Sequence, residues 1–137
     1  MPSFLTDAAL DPQALIAEVS AGGCGATAVF LGTVRNAPED GPVTGIEYSA
    51  YREMADAEFG RIVAEALSRW PEARISLRHR LGWIPTGAAS IAIAVATPHR
   101  AEAYDCSRFL IEETKKRVPI WKQEALAAGE RRWVANG

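Results

Sequence analysis

A chain of 137 residues, 48% hydrophobic and 23% charged, has the size of one domain and enough apolar material for a buried core. Fifteen basic against seventeen acidic residues leave a formal charge of -2, which excludes the broad basic face of a non-specific nucleic-acid binder and favours small or protein partners. No apolar run approaches the roughly 20 residues of a membrane helix, and MPSFLTDAAL lacks the basic start and apolar stretch of a signal peptide, so a cytoplasmic protein is expected.

Asp11-Pro12 has the form of an N-cap followed by proline at the first helical position, and predicts a short helix over DPQALIAEVSA that Gly22-Gly23 stops. ATAVFLGTV (26–34), rich in β-branched and aromatic residues, reads as a strand that runs into Arg35 and the loop-like NAPEDGP. VTGIEYSAY then sets Ile46, Tyr48 and Ala50 against Glu47, Ser49 and Tyr51, the alternation of a half-buried strand. From about Met54 to Trp70 the apolar positions recur at spacings of three and four, which predicts a long helix ended by Pro71.

RISLRHRLG places Ile75, Leu77, His79 and Leu81 on one face, and after a Pro-Thr-Gly turn SIAIAVAT alternates large residues with alanines. The two segments can form a hairpin, and the alanine face lets a helix approach the sheet closely. Thr97 as N-cap and Pro98 at the first helical position open the last long helix, which Pro119 ends at Val118. From Ile120 to RRWVANG the chain reads as a short extended segment, a turn and a tail. One domain over residues 1–137 follows, of α+β class, with helices packed on a mixed sheet.

All three lysines, Lys115, Lys116 and Lys122, fall within KKRVPIWKQE, while the other cations are twelve arginines. At the helix end, Lys115, Lys116 and Arg117 complement the negative end of the helix dipole. Arginine would serve that purpose equally well; lysine alone has an amine whose pKa burial or neighbouring cations can lower into the working range. Lys115 lies in the last helical turn and Lys122 beyond the proline, so only tertiary folding can bring them together. Arg35 and the pair His99-Arg100 share a position type, where a strand gives way to a loop or helix start, and such places favour anions. Solvated charges or structural ion pairs are the alternative there, and His79 reads as core or interface.

Cys24 and Cys106 lie far apart, with no C-x-x-C and no histidine at ligand spacing, which argues against a zinc site and for a packed Cys106 thiol. There is no phosphate-binding G-x-x-x-x-G-K-[ST], no G-x-S-x-G, no H-E-x-x-H and no dinucleotide glycine fingerprint. Nucleotide, flavin and metal chemistry are therefore not expected, and no cofactor is assigned.

Taken in order, VFLGTVRN (29–36), IEYSAYREMA (46–55), RWP (69–71), HRLG (79–82), TPHRAEAY (97–104), KKRVPIWKQE (115–124) and RRWV (131–134) resemble the catalytic large subunit of molybdopterin synthase, the MoaE family. The resemblance covers most of the chain from about Leu10 onward. Its specific part is K-x-x-x-P-I-W-K-x-E together with H-R-x-x-A and G-x-V-R-N. It implies an α/β hammerhead-like fold with an additional small antiparallel sheet. It also implies a sulfurtransferase that converts cyclic pyranopterin monophosphate (precursor Z) to molybdopterin. The dithiolene sulfurs would come from the C-terminal Gly-Gly thiocarboxylate of a small ubiquitin-like carrier subunit, within a heterotetramer built on a central homodimer. The chain ends in VANG, without a terminal Gly-Gly, so the resemblance makes it the acceptor of such a tail.

The family's two functional lysines map to Lys115 and Lys122, and its anion-handling residues to Arg35, His99 and Arg100. A cationic pocket suits two anionic reactants, and a tuned lysine can deliver protons to leaving groups. On this mapping Lys115 is the general acid/base nearest the thiocarboxylate and Lys122 supports it. Two departures stand out: Ala88 after Gly87, where the family commonly has an acidic residue, and Ser49 where it commonly has Glu. A non-catalytic docking module for a ubiquitin-like sulfur carrier is the alternative, against which both retained lysines argue. A small RNA-binding domain is a third reading, disfavoured by the charge balance.

Overall fold

The structure, a computed structural model, describes residues 3–36, 42–127 and 129–134. Its elements in chain order are β1 (Leu5–Thr6), α1 (Pro12–Val19), β2 (Ala26–Thr33), β3 (Val43–Ala50), α2 (Arg52–Arg69), β4 (Arg74–Arg80), β5 (Gly82–Pro85), β6 (Ala89–Thr97), α3 (Arg100–Arg117), β7 (Ile120–Leu126) and β8 (Arg131–Val134). The strands form two four-stranded sheets, ordered β1-β4-β6-β2 and β5-β3-β7-β8. The first is mixed, because β1 runs parallel to β4 while β4 and β2 pair antiparallel with β6; the second is antiparallel throughout. The α+β expectation holds, and the second sheet has as many strands as the first.

The alternation of β6 dictates how the first sheet is covered. Ile91, Ile93 and Val95 face the main core, where Phe59 and Ile62 of α2 and Cys106 and Leu110 of α3 are fully buried. Ala92, Ala94 and Ala96 face the other way, and their small side chains let α1 seat Leu15 and Val19 against the sheet. Each large buried side chain contributes about 1.5–3 kcal/mol. Arg74 and Arg78 of β4 secure α1 from the side, through the Val19 carbonyl at 3.0 Å and the Glu18 carboxylate at 3.2 Å. As the alanine face led us to expect, this strand is covered on both sides.

Helix α1 starts as its sequence dictates, with the Asp11 carboxylate accepting from the Gln13 and Ala14 amides. Helix α3 does not. Its N-cap is His99, and Thr97 belongs to β6, paired with Ala26, with its hydroxyl donating to the His99 carbonyl. Strand pairing thus claims Thr97 before the helix can. The hairpin between β4 and β6 is also not a tight one. The strands pair antiparallel, but between them the chain leaves for the second sheet as β5, turning at Gly82 with φ +89°, and returns. Beyond Pro119 the extended segment is a seven-residue strand, β7, central in the second sheet and followed by β8. Most of the NAPEDGP loop and the last three residues lie outside the described residues.

Candidate active site

Lys115 and Lys122 meet. Lys115 sits in the last turn of α3; Val118 and Pro119 then redirect the chain, and Ile120 enters β7. Alternation along β7 turns Trp121 and Gln123 outward and Ile120, Lys122 and Glu124 inward, with Lys122 directly opposite Tyr48 of β3. The two lysines line one pocket with Tyr48, His79 of β4, Ile91 of β6 and Thr114 of α3, where the two sheets and the end of α3 converge. Its volume, about 20 Å³, holds roughly one water-sized group, so it can receive the reacting end of a substrate and not a whole bicyclic one.

The three cations ending α3 have different roles. Lys116 points to solvent and pairs with Glu113 at 3.6 Å. Arg117 reaches across to α2, meeting Glu58 at 2.8 Å and Glu65 at 2.6 Å, and also Glu113 at 3.3 Å. Its partners hold the guanidinium charged and draw the Glu58 and Glu65 carboxyls below the usual range. Only Lys115 turns inward, so the helix-dipole reading does not account for it.

The electrostatics of the pair follow from its seclusion. Burial pushes Lys122 down to about 8, helped by the positive charge of Lys115 and a hydrogen bond between the two side chains, and opposed by Glu124. Two ammonium groups ~4 Å apart repel by about 4 kcal/mol at an effective dielectric near 20. Loss of one proton replaces that repulsion with an N–H donated from Lys115 to the Lys122 lone pair. Glu124 itself accepts from Arg132 at 2.6 Å, which limits its pull on Lys122. Once Lys122 has lost its proton, which a pKa near 8 makes accessible close to neutrality, the pair is a proton donor and a proton acceptor side by side, the arrangement general acid/base chemistry needs.

A stability cost accompanies this. Lys122 releases its proton near pH 8 in the fold but near 10.5 in the unfolded chain, so between those values the unfolded chain holds the extra proton and stability rises with pH. Below pH 8 the penalty is constant. Lys122→Met is expected to stabilise the protein by about 1–3 kcal/mol at pH 7. Denaturant unfolding at pH 7 and above pH 10.5 checks this, since the gain should vanish at the higher pH.

The remaining cationic candidates divide. Arg35, exposed, follows β2 three residues beyond Gly32, which pairs with the pocket residue Ile91; it lies at the pocket end of the first sheet. His99 and Arg100, also exposed, open α3 at its far end. Sixteen residues separate His99 from Lys115 along the helix, about 24 Å at 1.5 Å per residue. One chain therefore does not bring His99 and Arg100 to the lysines. The sequence reading had His79 as core or interface; it is in the core, 6% exposed, and lines the lysine pocket, which that reading did not foresee. Tyr48 was likewise read only as a strand residue; burial raises its pKa, and its hydroxyl is hydrogen-bonded to Ser90. Cys106 is a buried core thiol, as expected, its pKa pushed up to about 11 by burial. Ser49 is exposed on the outer face of the second sheet and Ala88 accepts from the Val34 amide, so both departures lie outside the lysine pocket.

Comparison with known proteins identifies the family. Residues 5–117 match the family described as MoaE protein. The molybdopterin synthase catalytic subunit of Halalkalibacterium halodurans is 40% identical over 124 residues, covering 90% of this chain and 79% of that protein. The crystal structure of molybdopterin synthase from Staphylococcus aureus superposes with a TM-score of 0.91 at 30% identity, over 96% of this chain and 95% of that one. A complex of subunits 1 and 2 of the molybdopterin-converting factor from Helicobacter pylori shares the fold, with a TM-score of 0.69 at 23% identity, over 82% of this chain and 73% of that one. With the match extending over most of the chain, this protein belongs to the MoaE family of molybdopterin synthase catalytic subunits, enzymes that transfer sulfur in molybdenum cofactor biosynthesis.

Proposed function

We propose that the lysine pocket is the site at which cyclic pyranopterin monophosphate is converted to molybdopterin, with sulfur delivered by the C-terminal thiocarboxylate of a small ubiquitin-like carrier subunit. The observation that carries this reading is the convergence of Lys115 and Lys122, with Lys122 tuned to about 8, in a pocket wide enough only for a narrow reacting end. An extended Gly-Gly tail has no side chains, so only its terminal group need enter such an opening. Lys115 is the acid/base group nearest the thiocarboxylate: as a cation it neutralises the sulfur-bearing anion, and as an acid it protonates the oxygen leaving the pterin side chain. Lys122, which holds its proton weakly, accepts and returns the proton through the neutral fraction that a pKa near 8 provides.

Arg35, His99 and Arg100 bind phosphate or carboxylate on this reading. Since one chain holds His99 and Arg100 about 24 Å from Lys115, they act at the lysines of a second copy, in a homodimer that binds one carrier per subunit. The Helicobacter pylori complex of two converting-factor subunits supports a small-subunit partner for this fold. Among the described residues no helix is long and apolar enough to cross a membrane, which is compatible with action in the cytoplasm. The test is dithiolene formation from cyclic pyranopterin monophosphate and purified thiocarboxylated carrier. Product is expected; carrier binding without product would favour a docking module instead.

A further inference from the structure

A third basic side chain shares the lysine pocket, and the chemistry proposed above gives it no task. His79 is buried on β4, and its ring lines the pocket beside both amines. Its backbone N–H donates to the Phe4 carbonyl at 2.8 Å, so β1 clamps the strand at this residue. The ring Nδ1 lies 2.7 Å from the Arg80 carbonyl. A carbonyl can only accept, so Nδ1 carries the proton, and in the neutral ring Nε2 is a bare acceptor. Tyr48 meets the ring edge-on at 5.3 Å between centroids and Phe59 packs at 6.4 Å, which together hold its plane.

The surroundings keep the ring neutral. The titratable groups facing it are Lys115 from α3, Lys122 from β7 and Tyr48 from β3, whereas β1, β6 and α2 meet it with Leu5, Ile91 and Phe59. Burial, with the two lysine charges, pushes its pKa down to about 4, against the opposing Arg80 carbonyl bond. At neutral pH it therefore adds no third positive charge to the pocket. A carboxylate at this position would pair with the amines and hold both protonated; an imidazolium would repel them. A neutral acceptor does neither.

Resting on the reading of the lysines as the reacting pair, we infer that His79 is a positioning residue: its proton-free Nε2 accepts an N–H from the lysine pair and fixes where the amines stand. No proton passes to it. The bond favours the charged form of the amine it touches, so its loss lowers the lysine titration midpoint.

The chain's three lysines and two histidines make this measurable by NMR without catalysis. Lysine side chains labelled with ¹³C and ¹⁵N are titrated in wild type, His79→Asn and His79→Gln. Asparagine keeps an amide donor near the Nδ1 position and lacks Nε2; glutamine extends an amide oxygen to the reach of Nε2. In H79N the Lys122 midpoint, expected near 8 in wild type, should fall by about half a unit or more, with Lys116 unmoved. In the sulfur-transfer assay kcat should fall about tenfold with KM within about twofold, and H79Q should recover most of both. Unmoved lysine midpoints in folded H79N would overturn the assignment and leave His79 as packing. Should H79N fail to fold, the imidazole ¹⁵N signals of wild type decide: a proton on Nε2, or an imidazolium at pH 7, overturns it. The expected lysine shifts in a protein whose wild type transfers no sulfur would support the positioning role and refute the functional reading.

Discussion

Lys115→Ala is expected to lower single-turnover sulfur transfer by about 10²–10⁴-fold while leaving carrier binding largely intact. Of the three cations ending α3 only Lys115 faces the pocket, and the side chains beside it clamp the helix end to α2 through Arg117, so truncation removes the amine without releasing the helix. Two effects then combine. The acid that protonates the leaving oxygen is gone, and with it the charge and hydrogen bond that help hold Lys122 near 8. Burial still lowers Lys122 in the variant, but its pKa moves back toward the ordinary range and its neutral fraction near pH 7 shrinks further. Lys115→Arg should fail for a related reason, because a guanidinium keeps the charge but does not exchange its proton near neutrality. Full activity in Lys115→Ala would reduce Lys115 to a helix-end charge.

The second large effect concerns His99 and Arg100. A preparation of Lys115→Ala alone and one of the double variant His99→Ala, Arg100→Ala alone should both be nearly inactive. Co-expressed, they should regain about a quarter of wild-type activity. Random assortment puts half the dimers in mixed form, and each mixed dimer has one site with an intact lysine pair facing an intact His99-Arg100 pair. Separate mixing of stable homodimers should give no such recovery until subunits exchange. Absence of recovery in verified mixed dimers would mean that the two residues do not act across the interface.

The reason for this arrangement was present in the topology but not in the local sequence. Arg35 and His99 each follow a strand, and the sequence reading grouped them by that. β2 and β6 pair antiparallel, however, so the C-terminal ends of the two strands lie at opposite ends of the sheet. Helix α3 then carries the chain from His99 back to the lysines. Local chemistry served well where an element is long and amphipathic or explicitly capped, as with α2 and with Asp11-Pro12 at α1. It failed where pairing outweighs local preference: β1 is two residues long, β5 reads as Gly-Trp-Ile-Pro with no alternation to detect, and Thr97 is taken by β6. The lysine pair was legible as residue types but not as a contact, because Pro119 interrupts the helical spacing between them. His79 was correctly read as buried; only the second sheet folding over it shows that burial places it beside Lys115 and Lys122.

Lys115 is borne by a helix that packs on the first sheet, and Lys122 by a strand of the second. The separation of the two amines is thus set by how the sheets dock, with no single rigid element carrying both. Each sheet could keep its own hydrogen-bond ladder while the docking loosens slightly, and the pair would then come apart. On the proposed role of the lysine pair, catalytic competence in this fold is a property of quaternary-like registration inside one chain. Partial opening along that boundary should silence the enzyme while its secondary structure persists.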